Sequence, residues 1–173
     1  MSNNSISETC KENVFSDFFK NHAKSLRNYL LFKFGNQEQA EDMTQEAFIK
    51  LWQNCADVPI EKAKSYIYTI ANNSSLNIVA HEKVKLNYQK NTVHLDRSNE
   101  NPEFILEENQ FKDKLLSAIE RLNETQRVAF LMNRIDGKKY YEIAEELNIS
   151  VKAVEKRIHL ALIELRKEFK NFK

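Results

Sequence analysis

The sequence predicts an all-α chain: two small helical domains joined by a linker, the second containing a helix-turn-helix. Glycine and proline are scarce, apolar residues recur at helical spacing, and a polar aperiodic stretch near the middle separates two parts of different charge. A chain of 173 residues would on average usage hold about 12 Gly and about 9 Pro, yet this one holds 2 of each. Primed hairpin turns need φ > 0, so hairpin-built sheets have almost no material here. Phosphate-cradling loops of the forms G-x-G-x-x-G and G-x-x-x-x-G-K-[ST] are excluded for the same reason, because Gly35 and Gly137 cannot supply them.

The elements follow in order. From Val14 to Phe34, Phe15, Phe18, Phe19, Leu26, Tyr29, Leu30 and Phe34 fall at helical spacing, and Gly35 stands where a left-handed residue ends a helix. A second helix is expected from about Glu38 to Gln53. A third runs from about Ile60 to Tyr88, separated from the second by Asp57-Val58-Pro59 and open to division at Asn72-Asn73-Ser74-Ser75. Asn91 to Pro102 (NTVHLDRSNENP) is polar and without period, which marks a linker. A helical pattern resumes at Glu103 and runs to Leu122, and another helix spans Glu124 to Ile135 before Asp136-Gly137. The domains are accordingly placed at 1–90 and 110–173, with an acidic linker at 91–109.

Charge follows the same division. The net charge is +1, but residues 1–90 hold 11 basic and 10 acidic side chains, residues 91–109 hold 1 and 5, and residues 110–173 hold 14 and 10. Cys10 and Cys55 form no C-x-x-C and no Cys-His cluster, so neither a disulfide framework nor a zinc site is expected. The polar start and the lack of ~18 consecutive apolar residues read as a cytoplasmic chain with no direct membrane insertion.

At the C-terminal end a short amphipathic segment, Tyr140 to Leu147, meets the turn Asn148-Ile149-Ser150 and then a longer helical pattern from Val151 to about Lys170. This is helix-turn-helix spacing with a Ser N-cap. Val151, Val154, Ile158, Ala161, Leu162 and Leu165 line one face of the last helix, which is its core side. Lys152, Lys156 and His159 lie opposite, with Arg157 flanking, where base edges and phosphates of a major groove would be reached. A charged face is also what any surface helix carries.

The second helix carries a polar stripe of Glu38, Glu41, Asp42, Gln45 and Glu46, opposed by Ala40, Met43, Ala47 and Leu51. Ile49 and Trp52 project onto the acidic side. Apolar anchors in a charged rim are the makings of a protein-binding patch for a basic partner; packing of Trp52 beneath the first helix is the alternative.

Catalysis finds no support in the sequence. His22, His81, His94 and His159 are scattered, and no Ser or Cys nucleophile has a recognisable setting. No catalytic, cofactor or metal residues are therefore assigned.

AEDMTQEAFIKLW (Ala40 to Trp52), AKSYIYTIANNSSLNIVAHEK (Ala63 to Lys83) and AIERLNETQRVAFLMNRIDGKKYYEIAEELNISVKAVEKRIHLALIEL (Ala118 to Leu165) resemble regions 2 and 4 of the extracytoplasmic-function (ECF) sigma factors of bacterial RNA polymerase. The resemblance covers nearly the whole chain in the family's order. It implies an alternative sigma factor that binds core RNA polymerase and directs promoter-specific initiation at minus-10 and minus-35 elements. Asp42, Gln45, Glu46, Ile49 and Trp52 would meet the clamp helices of the largest polymerase subunit. Asn73, Asn77, His81 and Lys83 would serve the minus-10 element. Lys152, Ala153, Lys156 and His159 would face minus-35 base edges, with Tyr140 and Arg157 toward phosphates. An anti-sigma factor is the further partner the family implies. The chain departs from the family's frequent residues by carrying Asn72 where Arg is common, Asn77-Ile78-Val79-Ala80-His81 in place of an Asp-aromatic-Leu-Arg-Arg run, and Lys152-Ala153 where Gly-Thr is frequent. A self-sufficient dimeric helix-turn-helix regulator is the alternative function.

Overall fold

A computed structural model describes residues 8–76 and 102–169. Within them the chain forms a 3-10 turn, Glu8–Cys10, and seven helices: α1 (Glu12–Phe34), α2 (Gln37–Gln53), α3 (Ile60–Leu76), α4 (Pro102–Arg121), α5 (Glu124–Arg134), α6 (Tyr140–Leu147) and α7 (Val151–Glu168). No strand occurs among the described residues, in keeping with the all-α expectation. Helix α3 continues without a break through Asn72 to Ser75. The remainder of the expected third helix, to Tyr88, and the linker before Pro102 lie outside the described residues.

Local chemistry sets the helix ends. Gly35 adopts φ 69° and donates its N–H to Leu31 O at 2.7 Å, satisfying one of the carbonyls that a helix C-terminus leaves over. Asn36 then caps α2 by accepting from Gln39 N at 3.0 Å. Asn123 does the same for α5, accepting from Thr125 N, and Ser150 for α7, accepting from Ala153 N at 3.2 Å. Gly137 (φ 68°) reverses the chain between α5 and α6, and Asn148 (φ 52°) makes the turn between α6 and α7. Asparagine tolerates that left-handed conformation better than other side chains.

Helices α1, α2 and α3 pack as one group and α4 to α7 as another. The first group closes over Leu26, Leu30, Ala40, Ala47, Leu51, Ala63 and Ile67, all fully buried. The second closes over Ala129, Met132, Ile143, Val154, Ile158 and Ala161, buried to the same degree. Four members of the expected stripe on α7, Val154, Ile158, Ala161 and Leu165, are thus core, whereas Val151 at its start is exposed.

The two groups also pack on each other, α5 against α1 and α6 against α3. Arg127 on α5 is the centre of that contact and is only 4% exposed. Its Nε donates to Phe32 O at 3.1 Å and its Nη2 to Lys33 O at 3.2 Å, at the end of α1. Its Nη1 donates to Leu122 O at 3.1 Å, just past α4. A single guanidinium therefore satisfies carbonyls at two helix C-termini, where orphan acceptors and the negative end of the dipole both favour a cation.

A second polar contact lies between α1, α3 and the start of the helix-turn-helix. Lys138 pairs with Glu146 and donates to Ser25 Oγ, and Asn28 Nδ2 donates to Asp136 Oδ1 at 2.7 Å. Lys64 on α3 reaches Glu145 at 3.4 Å and Glu146 at 3.5 Å. Burial pushes the Asp136 carboxyl above its ordinary value, partly offset by the Asn28 bond and the Lys138 charge.

One expectation is corrected here. Cys10 and Cys55 are joined as a disulfide. They are 45 residues apart in sequence, but α1 and α2 form a hairpin that brings the start of one to the end of the other. Cysteine spacing along the chain does not reveal a pairing made by helix packing.

Candidate protein-docking and nucleic-acid surfaces

Helix α2 presents two faces. Ala40, Met43, Ala47, Phe48 and Leu51 are buried, as the 3.6-residue period requires, and Asp42, Gln45, Glu46, Ile49 and Trp52 are all exposed on the other side. Ile49 is 55% exposed and Trp52 43%. Trp52 settles between the two alternatives left by the sequence, since its ring meets Phe15 of α1 edge-on at 4.8 Å while the rest faces solvent. Phe15 and Phe19 of α1 both pack their rings on Phe48 of α2, so the aromatic cluster beside Trp52 is built by both helices. Asn36, Glu38, Gln39, Asp42, Met43 and Glu46 line a shallow cleft along the acidic stripe. Within this stripe Glu46 is paired to Lys50 at 2.6 Å, and Glu41 lies 3.9 Å from Arg27; Asp42 belongs to no ion pair described there.

On α7, Lys152, Lys156 and His159 are exposed and Ala153 is half-buried beside them. These four share the outer face of the helix that follows the Asn148–Ser150 turn. Tyr140 begins α6, where it is partly exposed, and Tyr141 beside it is more so. The Glu142 carboxylate accepts from Lys139 N at 2.7 Å and fixes the start of α6.

Arg157 differs from its neighbours. It is half-buried, and its charge acts on Tyr29 of α1. Burial pushes the Tyr29 hydroxyl up to about 12, against the opposing effects of its bond to Asn72 and of Arg157. Arg157 is thus less open to solvent than Lys156 on the same helix. Asn73 is exposed near the end of α3. Asn77, His81 and Lys83 lie outside the described residues.

Sequence reasoning missed Arg127, Lys138 and Glu146. Arg127 follows the polar Glu124-Thr125-Gln126 and precedes the apolar Val128 to Met132, so its neighbours in sequence do not mark it as buried.

Two family models match in chain order. "Sigma-70 region 2" covers residues 18–83 and "Sigma-70, region 4" covers residues 112–165. Among curated relatives, the "Ferric citrate uptake sigma factor FecI" of Escherichia coli is 26% identical over 153 residues, covering 86% of this chain and 87% of that protein. The "ECF RNA polymerase sigma factor SigW" of Bacillus subtilis is 24% identical over 170 residues, covering 92% and 91%. The "ECF RNA polymerase sigma factor SigE" of Mycolicibacterium smegmatis is 26% identical over 155 residues, and the chain spans 60% of its length. Among solved structures, the sigma factor RpoE of Bartonella quintana, crystallised with the anti-sigma factor NepR, aligns with a TM-score of 0.57 at 14% identity over 92% of this chain and 98% of that one. That likeness is one of fold.

Proposed function

The chain belongs to the sigma-70 family as an ECF sigma factor, and from that premise we propose how its surfaces divide the work of transcription initiation. Residues 1–90 act as the region 2 domain, 91–109 as an acidic linker and 110–173 as the region 4 domain. Asp42, Gln45, Glu46, Ile49 and Trp52 dock on the clamp helices of the largest subunit of core RNA polymerase. The observation that carries this assignment is the exposure of Ile49 and Trp52 among carboxylates on α2. Large apolar side chains left half in water within a charged rim gain most by being covered, and an acidic rim selects a basic partner.

Lys152, Ala153, Lys156 and His159 read the minus-35 element from the major groove, with Tyr140 and Arg157 on phosphates. Asn73, Asn77, His81 and Lys83 contact the minus-10 element. The linker, with 5 acidic side chains against 1 basic, suits a basic channel inside the polymerase. The chain works in the cytoplasm, where core polymerase and DNA are, and an anti-sigma factor is its regulatory partner. Its part is recognition rather than catalysis, with no cofactor.

Charge supports a dependent rather than a self-sufficient DNA binder. Free DNA affinity scales with the phosphates neutralised, and a net charge of +1 neutralises few. Two weak readers held by one large partner gain through effective concentration instead. Run-off transcription with core enzyme on genomic fragments tests the proposal. Discrete transcripts that depend on the protein support it, and their absence from every fragment contradicts it.

A further inference from the structure

We propose that Cys10 and Cys55 are a reversible dithiol–disulfide switch, oxidised by hydroperoxides, that sets the affinity of the α2 docking face through Trp52. The proposal rests on the docking role given to Trp52 above. These are the only cysteines in the chain. Their bond ties the 3-10 turn before α1 to the turn after α2. Both cysteines are half-buried rather than sealed in the core.

The surroundings couple the bond to the docking face. Thr9, next to Cys10, is fully buried, and its hydroxyl donates to Val58 O at 2.6 Å, seating the N-terminal segment in the α2–α3 corner. Cys55 N donates to Trp52 O at 3.3 Å, so the bonded cysteine lies one turn beyond the tryptophan. On the other strand of the staple, Phe15 follows Cys10 by little more than a turn and its ring lies against Trp52 at 4.8 Å. The disulfide thus closes a short circuit from Cys10 through α1 to Phe15, across to Trp52 and back to Cys55. While it is intact, Phe15 and Trp52 are held together and the Trp52 ring is fixed for docking. When it is broken, Thr9 and the first turn of α1 are free to leave the corner, and Trp52 loses its fixed support.

The chemistry balances. A cysteine thiolate attacks the peroxide oxygen, the O–O bond breaks, and a sulfenic acid forms with release of water or an alcohol. The second thiol attacks that sulfur, forming the S–S bond with loss of water. Two equivalents of a glutathione-type thiol reverse it: the first forms a mixed disulfide and frees one protein thiol, and the second frees the other thiol and leaves as oxidised thiol.

A ligand-binding face responds to such a switch only if the two states differ in affinity. Preorganisation makes the oxidised form the tighter binder. The test uses the full chain equilibrated in glutathione buffers of graded potential, with thiols counted by alkylation and mass. Trp52 is the only tryptophan, so its emission reports the docking face directly. We expect emission to change in step with the thiol count, and reduced protein to bind core RNA polymerase at least about fivefold more weakly, the lower end of typical coupling between sites. Cys10→Ser and Cys55→Ser should hold the reduced affinity whatever the potential. If either variant loses helix content, unmodified protein in its two redox states, matched by circular dichroism, decides alone. Equal core affinity in both states, or thiols that stay free in hydroperoxide, overturns the proposal. Failure of both states to bind core overturns the docking role of Trp52 and the affinity step with it, whereas emission that still follows the thiol count supports the coupling between the cysteines and Trp52.

Discussion

Arg127 joins the two helical groups through hydrogen bonds to carbonyls at the ends of both α1 and α4. Truncating it leaves those acceptors buried without a donor. Arg127→Ala should therefore lower unfolding stability by roughly 3 kcal/mol, read from urea denaturation. His22 gives a pH dependence. Burial and then the Lys64 charge hold its pKa below 6.5, with Lys138 acting the same way and Glu146 and Glu145 opposing. A histidine whose folded value is depressed binds fewer protons when folded than unfolded, so stability is lost as pH falls through 6.5 toward the folded value. His22→Gln should make the unfolding midpoint change less than in the unmodified protein between about pH 7.5 and about pH 5.5. Neither residue was legible as a partner in the sequence, because what each touches is set by helices far apart in the chain: Arg127 meets Phe32 across 95 positions.

Helices were the most legible feature. Apolar period and cap chemistry located six of the seven to within a residue or two at most ends, since Gly35, Asn36, Asn123 and Ser150 each do in the structure what their side chains or φ angles favour. The start of α1 extended earlier, to Glu12, because a polar first turn carries no period. On α2 the same period identified which residues face out, including the two apolar ones. Ile49→Ala combined with Trp52→Ala should abolish measurable core binding while leaving helix content unchanged, as loss of two anchors of about 2 kcal/mol each implies; undiminished binding would make the patch a packing feature alone. On α7, Lys156→Ala should cost about 1–3 kcal/mol at a cognate minus-35 element if it contacts a base edge, and gel-shift or transcription assays on base-substituted promoters would show whether preference relaxes there.

At the scale of the molecule, the near-neutral charge conceals an acidic stripe on α2, an acidic middle and a basic C-terminal part. In the function proposed above, that division separates polymerase docking from promoter recognition. Composition made the all-α class legible, because 2 glycines and 2 prolines leave little else to build. The mutual packing of the two helical groups was not legible, since it rests on Lys138, Glu146, Ser25 and Asn28, polar residues indistinguishable in sequence from solvated ones. On the reading proposed above, this surface layout serves core RNA polymerase. Titration of core enzyme into the protein, followed by Trp52 fluorescence, tests it most directly. Saturation at a 1:1 ratio with no self-association of the free protein is the expected result; a protein that leaves core unbound and instead binds palindromic DNA as a symmetric dimer would be no polymerase-dependent factor.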